Sequence, residues 1–120
     1  MKTVKIYRVA STGNNMPVCT AFRADQFFCR LRGLLGRAPL TRNQGLLITP
    51  CSQVHTVGMK YSLDIIFMDK TGRITKCVTN LKPNRIAASF KAHHTLEVCS
   101  GHINTHQIKV GDQLTWQTIA

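Results

Sequence analysis

The 120-residue chain is poor in acidic residues, with five Asp and Glu against sixteen Lys and Arg, and its formal net charge is +11. It also lacks CxxC spacing, an apolar run long enough to span a bilayer, and any run of three basic residues. These absences argue against a disulfide framework, a membrane span and a basic nucleic-acid-binding arm. Aromatic residues make up only 7% of the chain, which does not favour a surface for stacking bases.

The positive charge itself predicts an anionic partner or surface. Three kinds of partner fit it: a small anionic ligand, an acidic segment of another protein, or nucleic acid bound without sequence preference. The plainer interpretation is a basic surface that serves only solubility, because the Lys and Arg residues are scattered singly along the sequence.

The cysteines indicate a reducing compartment. There are five, an odd number, at positions Cys19, Cys29, Cys51, Cys77 and Cys99. Near the N-terminus, Lys5 and Arg8 interrupt the apolar residues before they reach the length of a signal peptide. We therefore expect a cytoplasmic protein that is not an integral membrane protein, formed by a single domain over residues 1–120. No cofactor is expected.

The apolar pattern predicts a mainly β fold. Short runs such as TVKIYRV, VCTAF, GLLIT, LDIIFM, RITKCVTNL, TLEVC and DQLTWQTI have the length and alternation of strands, with a hairpin turn at Thr71-Gly72. From Asp25, apolar residues recur at helical spacing, which predicts one short amphipathic helix. A single helical turn is expected within INTHQIKVGD, ending at Gly111. The fold class is therefore mainly β with one short helix (α+β), as a compact β-sandwich or a barrel-like domain.

Three stretches together resemble one known family. They are RLRGLLGR at residues 30–37, GLLITPCSQVHTVGMKYSLDIIFMDKTGRI at 45–74, and LEVCSG followed by VGDQL at 110–114. The chain is similar in these to the proteins grouped as domain of unknown function 192. The resemblance implies a compact mainly-β domain and no established reaction, ligand or partner.

The chain also departs from the pattern of that family. Many members carry a secretion or lipoprotein leader; we do not expect one here, so the resemblance does not imply an envelope location for this chain. Lys60 stands where arginine is usual after Gly-Met, and Ser62-Leu63 replaces the usual residues before the strand aspartate. Lysine keeps the charge but lacks the planar fork that binds a carboxylate through two hydrogen bonds.

The middle stretch carries candidate catalytic residues. Cys51 and His55 are four residues apart, and Asp64 follows nine residues later. If the chain folds back, a thiol nucleophile, an imidazole base and an orienting carboxylate would meet, as in a cysteine-dependent hydrolase or acyl-transfer enzyme. The plainer interpretations are a buried inert Cys51, a His55 that orders its loop, and an Asp64 that pairs with Lys60 or with an arginine of residues 30–37.

The interpretation that we favour is a small binding module rather than an enzyme. Its pocket would lie between the loop of residues 50–60, the start of the Asp64 strand and the helix of residues 30–37. The ligand would be a small anion or an acidic peptide segment, because arginines hold phosphate and carboxylate groups well. The binding residues predicted for this pocket are Arg30, Arg37, Cys51, His55, Thr56, Met59, Lys60 and Asp64.

A metal site is an alternative near the C-terminus. Cys99, His102 and His106 have a zinc-like spacing of C-x2-H-x3-H. No second cysteine completes a structural zinc set there, so the prediction is that no metal is bound.

Overall fold

The computed structural model describes residues 2–24 and 40–119. Within them the chain is mainly β, as predicted. The strands are β1 (Lys2–Val9), β2 (Asn15–Ala24), β3 (Gln44–Ile48), β4 (Gln53–His55), β5 (Leu63–Met68), β6 (Ile74–Leu81), β7 (Ile86–Ala88), β8 (His94–Cys99) and β9 (Leu114–Thr118). One helical turn, α1 (His102–Thr105), lies between β8 and β9. No helix in the described part is long and apolar enough to cross a membrane.

Seven of these strands form one sheet, in the order β6-β5-β8-β3-β2-β1-β9. Strands β2 and β3 are parallel, and the other neighbours pair antiparallel. Strands β4 and β7 form a separate two-stranded sheet. Because β2 and β3 run in the same direction, their carboxyl ends lie at the same edge of the large sheet.

The large sheet curls without closing into a barrel. In the described residues a single bridge, between Arg73 and Gln113, joins the two outermost strands just before β6 and β9 begin. Backbone hydrogen bonds support it, from Ile74 N to Asp112 O (2.9 Å) and from Leu114 N to Gly72 O (2.9 Å). The fold is therefore two sheets, the larger one strongly bent.

Two apolar clusters fill the two faces of the large sheet. On β5, Ile66 and Met68 belong to the cluster that also contains Val4, Ile6 and the helical Ile103. Leu63, Ile65 and Phe67 belong to the second cluster, which includes the small-sheet residue Val54. This alternation is that of a regular strand, because successive side chains of a strand point to opposite faces. All six residues of β5 are buried, so this strand is central to the fold.

The structure corrects two details of the sequence prediction. The helical turn ends at Thr105, six residues before Gly111. Strands β4 and β7 were not predicted, because each has only three residues and a burial pattern with one buried position between two exposed ones. The amphipathic helix predicted from Asp25 lies outside the described residues.

The β5–β6 hairpin turn is held by Asp69 and Gly72. One carboxylate oxygen of Asp69 accepts hydrogen bonds from Thr71 N (2.9 Å), Thr71 Oγ1 (2.6 Å) and Arg73 N (3.1 Å). Gly72 has a φ of 89°, as the predicted turn requires. A Cβ atom at Gly72 would also lie 2.5 Å from the carbonyl oxygen of Leu114. The turn therefore touches the start of β9 and helps to bring the sheet edges together.

We predict that Gly72→Ala destabilises the fold by more than Gly13→Ala does. Both glycines have positive φ, but nothing lies within 4 Å of a Cβ at Gly13. Gly13→Ala should cost about 1 kcal/mol for the left-handed backbone alone. The added contact with Leu114 should raise the cost at Gly72, as measured by denaturant unfolding. An equal loss of unfolding free energy in the two variants would show that the contact between residue 72 and Leu114 adds no cost.

Candidate functional site

Asp64 is fully buried and bonded to backbone amides. Its Oδ1 accepts a hydrogen bond from Asn80 N (2.8 Å), and its Oδ2 accepts from Gly101 N (3.1 Å) and Ile103 N (2.9 Å). These amides belong to the end of β6, to Gly101 just before α1 and to α1 itself. Hydrogen bonds to a carboxylate are stronger than those between neutral groups, which explains how an ionised side chain is held inside the fold. Asp64 thus joins three segments of the chain.

Asp64 and Cys51 are not brought together. Through β8, Asp64 is level with Gly45, near the start of β3, whereas Cys51 follows the end of that strand. The four residue-to-residue steps from Gly45 to Thr49 span about 13 Å. Asp64 also points to the face of Ile66, while Cys51 packs in the cluster on the opposite face. These two ends of the sheet are called the Asp64 end and the Thr49 end.

Cys51 and His55 also point to different environments. Cys51 is buried, and its thiol donates a hydrogen bond to the carbonyl oxygen of Gln53 (3.1 Å). Its own carbonyl accepts a hydrogen bond from Thr95 Oγ1 (2.8 Å). His55 is exposed at the end of β4. The thiol is thus directed at the backbone of its own loop, whereas the imidazole faces solvent.

The remaining residues of the 50–60 loop have separate positions. Thr56 is fully buried, and its hydroxyl donates to Lys82 O (2.7 Å) and accepts from Arg85 N (2.8 Å). Met59 is buried in the second apolar cluster, and Lys60 is exposed. Thr56 and Met59 therefore hold the loop to the fold. Arg30 and Arg37 lie outside the described residues, so their part in the predicted pocket stays a prediction.

A crevice at the Thr49 end is lined by two cationic side chains that the sequence pattern did not indicate as site residues. Its volume is about 320 Å³, and it is lined by Lys2, Arg23, Ala24 and Thr49. Lys2 and Arg23 face each other across the β1–β2 pair, and Thr49 follows β3 directly. Lysine and arginine far apart in sequence become neighbours only through strand register, which no local motif reveals.

His94 supports the wall of this crevice. The ring is buried, its Nδ1 lies 2.7 Å from Thr49 Oγ1, and its Nε2 lies 3.4 Å from the carbonyl oxygen of Lys70. It also makes an edge contact with the Trp116 ring. Burial lowers the pKa of His94 below its usual value of 6.5, with the charge of nearby Arg23 acting in the same direction. In its neutral form the His94 ring donates a hydrogen bond from Nε2 to the carbonyl oxygen of Lys70. At Nδ1 it accepts a hydrogen bond from the Thr49 hydroxyl.

A second cavity lies at the Asp64 end. It has a volume of about 440 Å³, and its lining includes Arg42, Cys99, His102 and His106. Cys99 Sγ lies 3.9 Å from His102 Nδ1, and the rings of His102 and His106 are 4.2 Å apart. The three residues of the zinc-like spacing are therefore neighbours. Across residues 2–24 and 40–119, however, no three His, Cys, Asp or Glu side chains are arranged to hold a metal ion together.

The fold places the protein in a class of small domains that have a bent seven-stranded sheet and a separate two-stranded sheet. The chain belongs to the family of domain of unknown function 192 (DUF192), described as "Uncharacterized ACR", whose sequence profile matches residues 8–116. The resemblance noted from the sequence is thus confirmed. No curated protein matches this chain.

Two solved structures have the same fold. A Sinorhizobium meliloti 1021 protein, provisionally named a transcription regulator, has a TM-score of 0.81 and 20% identity, with 95% of this chain and 93% of that chain covered. A protein of unknown function from Novosphingobium aromaticivorans DSM 12444 has a TM-score of 0.77 and 20% identity, with 93% and 84% covered. At this identity the likeness extends to the fold alone.

We predict that Asp64→Asn lowers the free energy of unfolding by about 2–4 kcal/mol, because the amide loses the charge and turns an NH2 group toward backbone donors. Denaturant unfolding measures the loss. Lys60→Gln, at an exposed position of the same loop region, is the control and should change stability little. A stable Asp64→Asn variant would contradict the role of this carboxylate as the junction of three segments.

The lowered pKa of His94 predicts a loss of stability in acid. The unfolded chain binds a proton at this residue near pH 6.5, and the folded chain binds it only at lower pH. Its contribution is therefore present above pH 6.5 and is lost as pH falls through the folded value. His94→Gln should reduce the difference in stability between pH 7.5 and pH 5, whereas exposed His55→Gln should not. If His94→Gln keeps the full difference in stability between pH 7.5 and pH 5, His94 is not the group that causes the loss of stability in acid.

Proposed function

We propose that this protein is a small binding module for an anionic ligand, and that the crevice at the Thr49 end is the binding site. The observation that carries the proposal is the convergence of Lys2 and Arg23 beside the Thr49 hydroxyl around a volume of about 320 Å³. This space suits a compact anion such as a phosphate or a small carboxylate. An acidic peptide side chain carries the same chemistry.

Electrostatics support an anion at this position. Lys2 and Arg23 are Cα partners on adjacent antiparallel strands, so their side chains leave the same face of the sheet. Like charges placed directly opposite each other destabilise a sheet unless a counter-charge lies between them. An anion in the crevice would supply that counter-charge, and the arginine fork would give it a defined orientation.

Thr49 and His94 extend the site toward the core. While the His94 ring is neutral, the Thr49 hydroxyl hydrogen is directed at His94 Nδ1. A protonated His94 would donate to Thr49 instead, and the hydroxyl would then be available to donate to the anion. We therefore expect anion binding to strengthen as pH falls through the lowered pKa of His94.

Two other functions are weaker. A cysteine enzyme using Cys51, His55 and Asp64 has no support from the geometry, because the three groups face different surroundings. A non-specific nucleic-acid or anionic-surface binder would use the net charge of +11 as a whole. Such a binder would lose affinity equally whichever surface lysine is neutralised, which distinguishes it from a defined site.

The compartment is part of the same proposal. Cys19, Cys77 and Cys99 carry free thiols. Burial raises the pKa of Cys19 to about 12 and that of Cys77 to about 11, so neither is a reactive thiolate at neutral pH. An odd number of cysteines without CxxC spacing supports a reducing environment, and we propose that the chain acts in the cytoplasm as one domain.

The test compares Lys2→Gln with Lys5→Gln. Both variants remove one lysine charge from β1, but Lys5 does not line the crevice. Isothermal titration with inorganic pyrophosphate should show affinity lowered by about tenfold for Lys2→Gln and nearly unchanged for Lys5→Gln. Arg23→Gln should reproduce the loss, since it removes the opposite cation.

The same variants are titrated with a single-stranded oligonucleotide over a range of salt concentrations. Equal loss in Lys2→Gln and Lys5→Gln for both probes would indicate a general charge effect and would refute the defined site. A measurable pyrophosphate affinity that none of the three substitutions changes would place the anion elsewhere.

A further inference from the structure

Two cavities meet at α1. The larger, of about 440 Å³, is lined by Arg42 and Asn43, which lie just before β3. The smaller, of about 200 Å³, is lined by Arg8 of β1 and by the start of β2. Thr105 and His106 line both cavities, so the two are parts of one groove. This groove is called the α1 groove.

The strand order sets the spacing of the two arginines in the α1 groove. Arg8 lies on β1 and Arg42 lies just before β3, with β2 between these strands. Adjacent strands are about 4.8 Å apart, so the two backbones are separated by about 10 Å across the sheet. A ligand that pairs with both arginines must therefore be elongated. In an extended peptide, side chains on the same side repeat about every 7 Å, which is a comparable spacing.

The α1 groove is positively charged at both ends. No Asp or Glu is found among the described residues that line it, so the two guanidinium groups have no counter-charge there. Asp64 is buried beneath the turn into α1, and its oxygens are bonded to backbone amides. Guanidinium groups bind carboxylates through paired hydrogen bonds, so the groove is suited to a ligand with two carboxylates.

The neutral side chains of the α1 groove suit a peptide better than a nucleic acid. Asn43, Thr105 and Gln107 can both donate and accept hydrogen bonds. A peptide backbone offers N–H and C=O groups to match them, whereas phosphate groups offer acceptors alone. The described lining residues include no Phe, Tyr or Trp, so the groove provides no aromatic surface for stacking bases.

The wall of the α1 groove is held in place by the fold. His102 Nε2 donates a hydrogen bond to the carbonyl oxygen of Val18 (2.8 Å), which joins α1 to β2. The backbone amides of Gly101 and Ile103 are bonded to the Asp64 carboxylate. A surface that is already ordered loses little conformational entropy when a ligand binds.

A second copy of this chain is a poor match for the α1 groove. The chain has five acidic residues, and no two of them are closer in sequence than Asp64 and Asp69. Asp64 and Glu97 are buried, and Asp69 is bonded within the hairpin turn. Two copies that each carry a net charge of +11 also repel each other. The complementary segment therefore belongs to a different protein.

We propose that the α1 groove binds an extended acidic segment of a partner protein. One carboxylate of the segment bonds to Arg42 and a second bonds to Arg8. The backbone between them contacts the polar side chains beside Thr105, and the exposed Met16 and Pro17 contact the apolar stems of the acidic residues. The site is at the opposite end of the sheet from the anion crevice and does not depend on it.

The test titrates the full chain with an end-blocked peptide in which glutamate and serine alternate, using calorimetry at physiological ionic strength. Arg42→Gln and Arg8→Gln should each lower the affinity by about tenfold, because each removes charge-assisted hydrogen bonds. Arg85→Gln is the matched control, since it makes the same change at an exposed arginine that lines neither cavity. It should leave the affinity nearly unchanged.

A peptide with a single glutamate tests whether one ligand spans both arginines. Such a peptide pairs with only one arginine at a time, so either arginine replaces the other when one is removed. Arg42→Gln and Arg8→Gln should then each lower its affinity by only about twofold. A tenfold loss confined to one variant would show a site built on one arginine and would contradict the spanning ligand.

Two further measurements separate this site from the anion crevice. In ¹H,¹⁵N spectra of the unmodified chain, the alternating peptide should shift the amides of Met16, Asn43 and His106 and leave that of Arg23 in place. Lys2→Gln should keep its affinity for the peptide, because Lys2 lines the crevice and not the groove. The two sites can therefore fail independently.

The proposal is overturned if the alternating peptide does not bind, or if Arg85→Gln weakens binding as much as Arg42→Gln does. It is also overturned if Lys2→Gln reproduces the loss, because the peptide then occupies the crevice. A single-stranded oligonucleotide that binds more tightly than the peptide, with the same dependence on Arg8 and Arg42, would assign the groove to nucleic acid instead.

Discussion

The buried carboxylate of Asp64 is the interaction on which the arrangement of the sheet depends. It accepts backbone hydrogen bonds from Asn80, Gly101 and Ile103, which lie 16, 37 and 39 residues away in sequence. A buried charge is tolerated only where such donors surround it. The end of β6 and the turn into α1 are therefore fixed relative to β5 by one side chain. The cavity that contains Cys99 and His102 is built on that turn.

The two cavities have different chemistry because they lie at opposite ends of the same sheet. At the Thr49 end, strands β1, β2 and β3 bring together cations and a hydroxyl group. At the Asp64 end, β8 and α1 bring together a thiol and two imidazoles. Each set comes from residues on neighbouring strands or on a single turn. The central strand β5 contributes packing on both faces and only one polar group, Asp64.

The strand pattern of the sequence predicts most of the fold. Alternation in β1, the apolar run of β5 and the glycine at the hairpin turn are local signals, and the structure confirms them. The three-residue strands β4 and β7 give no such signal, because they are too short to show the two-residue period of a strand. The end of α1 was also misplaced, since Gly111 ends a later turn rather than the helix.

The candidate site was harder to predict than the fold. Spacing in sequence suggested that Cys51, His55 and Asp64 would meet, but Asp64 leaves β5 on the face opposite Cys51. The pairing of Lys2 with Arg23 depends on the register between β1 and β2, which only the assembled sheet defines. By contrast, Cys99 and His102 are close because they flank a tight turn, and their C-x2-H spacing is a local signal in the sequence.

The pairing of β1 with β9 has a consequence for biosynthesis. During translation, β9 is made roughly a hundred residues after β1, so β1 has only β2 beside it until the end of the domain emerges. The bridge between Arg73 and Gln113 must also wait for that segment. A nascent chain that stops before β9 exposes the edge of β1. The unpaired backbone N–H and C=O groups of that edge can form hydrogen bonds with other chains. The complete sheet thus assembles only when its last strand is available.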